Sequence, residues 1–229
     1  MVESSAPAHK PLACCGSVSA DEGPELTVVN GVKVLYVPWN DVLRMCYSLS
    51  EKVLDSGEVF DAIVSVSRGG LVPARIMSDV LGVFNFYTIR SRFWGIAGRI
   101  AEEPVLGIHE AIDVDGKNVL LVDETVDTGM TLKKIIDVLR SLGAGDVKTA
   151  VLHYKTGSSL IPDFYIDVVD KDVWIFYPWS LSETVYALSG SVEGSVDPAD
   201  FARRLGVKEG FLRRPYIRKS MDLYKVRGL

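Results

Sequence analysis

Residues Val119 to Thr131, reading VLLVDETVDTGMT, constrain this chain more than any other stretch. Val119–Val122 are four apolar residues in a row, the pattern of a central parallel strand covered on both faces. Met130 to Leu142 then repeats apolar residues at helical spacing, in Leu132, Ile135, Ile136, Leu139 and Leu142. The residues between form a strand-to-helix loop at the carboxyl end of the strand, where open α/β sheets bind their ligands. A helix beginning near Met130 turns unpaired backbone N–H groups and a partial positive charge toward that loop, and Gly129 removes the side chain that would hold an anion off. Thr128 and Thr131 add hydroxyl donors. The loop therefore has two halves. Asp123 and Glu124 are acceptors suited to the hydroxyls of a ribose, and Asp127 to Thr131 are donors suited to a phosphate.

A second turn of the same kind lies upstream. Phe60 to Val66 reads as a strand, and Ser67-Arg68-Gly69-Gly70 follows it directly, ahead of a helix over Pro73 to Leu81 that the proline begins. The glycines allow backbone N–H groups to approach an anion closely, and Arg68 brings a fixed positive charge with several donors. Both turns fall at the same strand-end level, so two anion sites flank one crevice. Asp41 to Leu54 reads as an amphipathic helix capped by Asn40 or Asp41, Val83 to Ile89 as a strand, and Val147 to Tyr154 as another. Strand and helix alternate, which predicts an α/β fold with a mostly parallel twisted sheet flanked by helices.

The VLLVDETVDTGMT tract is similar to the phosphoribosyl pyrophosphate (PRPP) motif of the type I phosphoribosyltransferases, with Asp-Glu where relatives carry two aspartates or Glu-Asp. VSRGGLVPAR resembles the pyrophosphate loop of the xanthine-guanine enzymes, in which the peptide matched by Ser67-Arg68 is often cis. Lys155, followed about twenty residues later by Trp174-Ile175-Phe176-Tyr177-Pro178-Trp179, resembles the base pocket of the 6-oxopurine enzymes. The resemblance covers residues from about 35 to 180. It implies transfer of ribose 5-phosphate from PRPP to hypoxanthine, guanine or xanthine with release of pyrophosphate, in purine salvage.

In that light Ser67, Arg68, Gly69 and Gly70 bind pyrophosphate, and Asp127, Thr128, Gly129, Met130 and Thr131 bind the 5-phosphate. Asp123 and Glu124 hold the ribose and the shell of a Mg2+ ion, indirectly or through PRPP. Asp127 is the candidate acid/base at N7 of the purine. Lys155 donates to the ring oxygen, Trp174 offers a stacking face and Ile175 a backbone partner for the ring edge. Tyr177 and Trp179 read as core. Ser180 stands where some relatives carry an acid near the 2-position, which leaves the three oxopurines unranked. Arg90 to Gly116, long and rich in glycine, corresponds to a hood over the site. Family habit implies a homo-oligomer, dimer or tetramer.

Composition supports this outline. With 229 residues, 48% of them hydrophobic, the chain can form one α/β domain with a substantial core, and disorder of the whole is excluded. No apolar run approaches the length of a membrane span and residues 1–25 lack a signal core, so the expectation is a soluble cytoplasmic protein without a membrane partner. The three cysteines make no disulfide framework, and His9, His109 and His153 stand singly, as surface or packed residues. The expected organisation is an N-terminal arm over 1–25, a catalytic domain over 26–190 with its hood over 90–116, and a basic helical extension over 191–229. Residues 200–229 hold nine Lys or Arg against three acids, net +6, which leaves −11 for residues 1–199 of the chain's −5.

Two other functions stay open. Val196 to Arg214 resembles the start of a helix-turn-helix in that basic tail, as in a PRPP-sensing transcriptional regulator, although nucleic acid is not the expected partner because Pro215 shortens a second helix. An adenine-specific phosphoribosyltransferase is the other.

Overall fold

The computed structural model describes residues 26–92, 94–95, 98–99, 102–189, 197–207 and 216–227. The N-terminal arm, with His9, Cys14 and Cys15, lies outside the described residues, as do 191–196 and 208–215.

Strands β1 (Leu26–Val29) and β2 (Val32–Tyr36) form a hairpin whose two-residue turn places Asn30 at φ 52° and Gly31 at φ 78°. Positive φ at both central residues is what a tight hairpin needs to match strand twist. Helix α1 (Trp39–Asp55) follows, with Pro38 rather than Asn40 or Asp41 at its cap. The Pro38 carbonyl accepts the first helical bond, from Val42 N at 2.9 Å, and this leaves Asp41 inside the first turn, buried and paired with Arg44. A carboxylate there still complements the positive end of the helix.

Strand β3 (Ala62–Ser67) leads to α2 (Leu71–Leu81), which starts two residues before the predicted proline. Pro73 is tolerated in this first turn because its missing N–H would have no intrahelical acceptor. The next strand, β4 (Phe86–Arg92), begins later than Val83, because Gly82 (φ 66°) closes α2 and the Val83 N–H bonds back to Ser78 O at 3.1 Å. The predicted hood contains β5 (Trp94–Gly95), β6 (Gly98–Arg99) and β7 (Val105–Gly107), of which β7 pairs antiparallel with β4. After it come β8 (Asn118–Val126), α3 (Met130–Ser141), β9 (Asp146–Lys155), β10 (Phe164–Val169) and β11 (Val173–Phe176). A 3-10 turn over Pro178–Ser180 then opens α4 (Leu181–Ser189), and α5 (Pro198–Arg204) and α6 (Tyr216–Arg227) complete the described chain.

The main sheet has six strands in the order β10-β9-β8-β3-β4-β7, parallel throughout except for β7. Both faces are covered. Ile63, Leu120 and Val122 pack with Val42, Cys46, Leu49, Ala74 and Met77 of α1 and α2, while Val64, Val119 and Leu121 pack with Leu132, Ile135 and Leu139 of α3. Each Val, Leu, Ile or Met side chain among them contributes roughly 1.5–3 kcal/mol by leaving water. Alternate residues of one strand thus anchor opposite helix layers and bring the ends of β3, β8 and β9 to one rim.

A three-stranded sheet, β1-β2-β11, is separate from the first. Val34, Tyr36 and Phe176 from it share a core with Leu181, Val185, Phe201, Ala202, Leu205 and Ile217, so α4, α5 and α6 pack on this small sheet. Asp197 caps α5 by accepting from Ala199 N and Asp200 N, and Gly206 (φ 90°) closes it. Among the described residues no helix is long and apolar enough to cross a membrane.

Candidate active site

The rim is built where β3 and β8 run side by side and end in their two glycine turns. Val122 on β8 pairs with Ser65 on β3, so Asp123 and Glu124 emerge beside the Ser67–Gly70 turn. The peptide Ser67-Arg68 is cis. A Cβ on Gly70 would stand 2.5 Å from Val122 O and 2.9 Å from Val66 O, and one on Gly69 would stand 2.3 Å from the Glu124 carboxylate. At Gly70 the main chain leaves no room for a side chain, whereas at Gly69 a side chain would have to displace the Glu124 carboxylate.

Asp123 accepts from the Glu124 N–H at 2.8 Å, and burial, reinforced by the neighbouring Glu124, pushes its carboxyl well above the usual range. Burial also raises Glu124, to about 7, against the pull of the Trp179 indole that donates to it at 2.5 Å. Hydroxyl donors or a cation beside two such carboxyl groups would favour their charged forms. Arg68 is not turned toward them: its guanidinium donates to Glu183 at the start of α4, at 2.7 Å.

Beneath the rim lies a hub around Tyr177. The phenol donates to Glu124 O at 3.0 Å and also meets Thr125 Oγ1 and His153 Nδ1, each at 2.8 Å. With its one proton on the carbonyl, the phenol oxygen accepts from Thr125 Oγ1 and, in the tautomer that carries its proton on Nδ1, from His153. Burial lowers His153 to about 4, consistent with a neutral ring.

The second turn follows β8. Gly129, at φ 81°, is the cap of α3, and the turn encloses a small cavity of about 50 Å³ lined by Asp123, Thr125, Asp127, Thr128, Gly129 and Thr131 among others. Ser159 donates to Thr128 O from both its N–H (3.1 Å) and its hydroxyl (2.7 Å). In a planar trans peptide the Gly129 N–H then points the opposite way. The Met130 N–H meets Thr128 Oγ1 only at 3.5 Å, too long a contact to commit it.

Lys155, at the end of β9, donates to Asp127 Oδ2 at 2.9 Å. The structure thus brings Ser67–Gly70, Asp123, Glu124, Asp127–Thr131 and Lys155 to one rim. Trp174 and Ile175 lie on β11, where Trp174 packs against the small-sheet core and Ile175 against the core under α1. Among the described residues neither takes a hydrogen bond or ion pair with the rim. Residues outside the sequence-derived site join it, namely Tyr177, Trp179 and Glu183, with Thr125, His153 and Ser159 behind them. The WIFYPW tract marks the two aromatics in sequence, but no local signal marks Glu183.

The family model of the phosphoribosyl transferase domain matches residues 36–185. The chain belongs to the phosphoribosyl transferase domain family. Among curated members, the xanthine-guanine phosphoribosyltransferase of Nitratidesulfovibrio vulgaris is 28% identical over 156 residues, covering 68% of this chain and 90% of its own. That of Cereibacter sphaeroides is 29% identical over 154 residues, covering 66% and 89%. Among solved structures, a purine phosphoribosyltransferase from Pyrococcus horikoshii is 35% identical with a TM-score of 0.56, covering 64% of this chain and 93% of its own. All of these matches leave part of this chain uncovered, whereas they take in nearly the whole of each relative. The matched region of this phosphoribosyl transferase domain contains both glycine turns, the acidic pair and Lys155.

Proposed function

We propose that this protein is a purine phosphoribosyltransferase that moves ribose 5-phosphate from PRPP to a 6-oxopurine and releases pyrophosphate. The observation that carries the reading is the Lys155–Asp127 pair, in contact at 2.9 Å on the rim that also bears the acidic pair and both turns. On a 6-oxopurine, O6 and N7 are neighbours on one edge. A cation and a carboxylate already in contact can address both, the ammonium donating to O6 and the carboxylate accepting from N7–H. The names of the relatives support the same substrate class.

In this reading N9 attacks the anomeric carbon, the N9–C bond forms, and the bond to pyrophosphate breaks with its electron pair leaving on pyrophosphate. The N7 proton passes to Asp127. Main-chain N–H groups of Asp127 to Thr131 grip the 5-phosphate, while Ser67 to Gly70, with Arg68 exchanging Glu183 for the ligand, hold pyrophosphate. Asp123 and Glu124 receive the ribose hydroxyls. Trp174 and Ile175 complete the base side, and the segment from Arg90 to Gly116 closes over the substrates.

Two desolvated carboxylates fit a magnesium ion, and among the described residues no group of three or more His, Cys, Asp or Glu forms a cage for one. Asp123 and Glu124 would therefore hold it jointly with oxygens of PRPP, and the ion would offset charge on the departing pyrophosphate. A cytoplasmic homo-oligomer, with the chain beyond residue 190 as its basic extension, belongs to the same reading on the habit of the family.

The test is pyrophosphate release from PRPP and magnesium with hypoxanthine, guanine, xanthine and adenine each supplied alone. Oxopurines should turn over, and adenine, which leaves Lys155 without its acceptor, should fall behind by about 10⁴–10⁵-fold. Adenine as the better substrate would remove the role of Lys155. Silence with all four bases would remove the enzyme.

A further inference from the structure

Glu124 stands close to a guanidinium and yet is not paired with it. Arg68 donates to Glu183, and Glu124 is bonded through Oε2 to a neutral donor, the indole N–H of Trp179, at 2.5 Å. The difference has a chemical consequence. A cationic donor in place of the indole would pair with Glu124, whereas an indole N–H, which can only donate, fixes the carboxyl group without bringing a counter-charge. The remaining oxygen, Oε1, is left to accept from a ligand.

The indole is itself fixed from both sides. Tyr177 stacks on it with ring centres 4.9 Å apart and planes 2° from parallel, and Trp39 meets it at 5.6 Å with a 58° tilt. The Tyr177 ring is in turn pinned by its hydroxyl, which bonds Glu124 O, Thr125 Oγ1 and His153 Nδ1. A continuous series of contacts thus runs from the buried ends of β8 and β9 through two stacked rings to one carboxylate. That carboxylate occupies the space of a Gly69 side chain, directly over the Ser67–Gly70 turn.

We infer that Trp179 is a positioning residue for the sugar: its N–H holds the Glu124 carboxylate over the pyrophosphate turn in the orientation that receives the ribose hydroxyls of PRPP. The inference rests on the phosphoribosyl-transfer reading and deepens it. A long, flexible glutamate would otherwise lose rotamer freedom each time PRPP bound, and the indole removes that cost in advance. It also keeps Glu124 from competing with Glu183 for Arg68, so that the guanidinium and the carboxylate remain separately available to pyrophosphate and to ribose.

The experiment compares Trp179→Phe with the unmodified protein in steady-state turnover and in calorimetric PRPP binding. Phenylalanine keeps a ring to stack on Tyr177 but loses the N–H together with part of the indole area, a packing loss that would be the same with or without Glu124. The KM and Kd for PRPP should rise about 10–100-fold, as for loss of a hydrogen bond to a charged group, while the KM for the purine stays within about twofold. Trp179→His, which retains a ring N–H, should recover part of the loss. In a Glu124→Ala background the same Trp179→Phe change should cost almost nothing further, because the two act as a unit. Unchanged PRPP affinity in Trp179→Phe overturns the inference. So does an equal loss with and without Glu124, or a purine KM that rises in step.

If Trp179→Phe does not fold, the indole signals of the unmodified protein compared with those of Glu124→Ala carry the test. The chain has four tryptophans, and one indole N–H signal in a ¹⁵N–¹H spectrum should lie downfield and move on Glu124→Ala. Four unmoved signals overturn the inference. An unmodified protein with no PRPP-dependent turnover on any base overturns the underlying reading instead, and the two failures are thereby distinct.

Discussion

The two strand-end turns sit at the same level of one sheet and both end in glycine, but glycine is needed for different reasons. Gly70 has an ordinary helical backbone, with φ at −68°, and is required because main-chain atoms of Val66 and Val122 occupy the place of a Cβ. Gly129 has φ at 81°, and in addition a Cβ there would meet Leu160 N at 2.8 Å. One glycine permits close approach between strands. The other permits a left-handed cap as well. The supports differ too: an ion pair to α4 steadies the first turn, whereas Ser159 steadies the second from the loop after β9.

The largest expected effect is on the second turn's chemistry. Asp127→Asn should lower kcat by about 10²–10⁴-fold while PRPP still binds, as followed by single-turnover and binding measurements. An unchanged rate would reduce the turn to an anion cradle, like the first. Next come the glycines. Gly129→Ala should destabilise more than Gly70→Ala in denaturant titrations, because about 1–2 kcal/mol of backbone strain adds to a collision, whereas Gly70→Ala meets the collision alone, at about 1–3 kcal/mol. Equal losses would erase the distinction between them.

A smaller effect is the pH dependence of stability. Glu124 is raised in the fold from 4.5 to about 7, so its stabilising contribution is complete below about 4.5 and is lost as pH rises through about 7. His153 is lowered from 6.5 to about 4, so its contribution is complete above 6.5 and is lost as pH falls through about 4. The two slopes oppose each other. Thermal melts of Glu124→Gln should therefore gain stability with rising pH between about 4.5 and 7 relative to the parent. Parallel profiles would place Glu124 in an ordinary solvated setting. The smallest effect is expected for Glu183→Gln, because the Arg68 side chain is 77% exposed: stability should change by about 0–1 kcal/mol. A larger loss would make the first turn as dependent on its support as the second.

Much of the parallel sheet was legible because its signals are local. Four consecutive apolar residues ahead of two acids and a glycine specify a strand, a rim and a helix start within thirteen residues. The β1-β2-β11 sheet was less so. Its Asn30-Gly31 turn is a strong hairpin signal, but the flanking strands are short and half exposed, and Trp174 to Phe176 reads equally well as a binding tract. The cap of α1 differs for a related reason: Pro38 with its extended backbone starts the helix, although Asn40 and Asp41, two and three residues later, have the better capping side chains.

The chain's local chemistry settled which residues could meet an anion, a sugar or a base, since strand ends, glycines and acids carry those preferences wherever they fold. What it left open is which donor each acid receives. Glu183 and Arg68 are 115 residues apart, and Trp179 and Glu124 are 55 apart. Such partners are chosen by the packing of α4 and the WIFYPW tract against the strand ends. A hydrogen bond requires contact at about 3 Å, and only the closed fold supplies it.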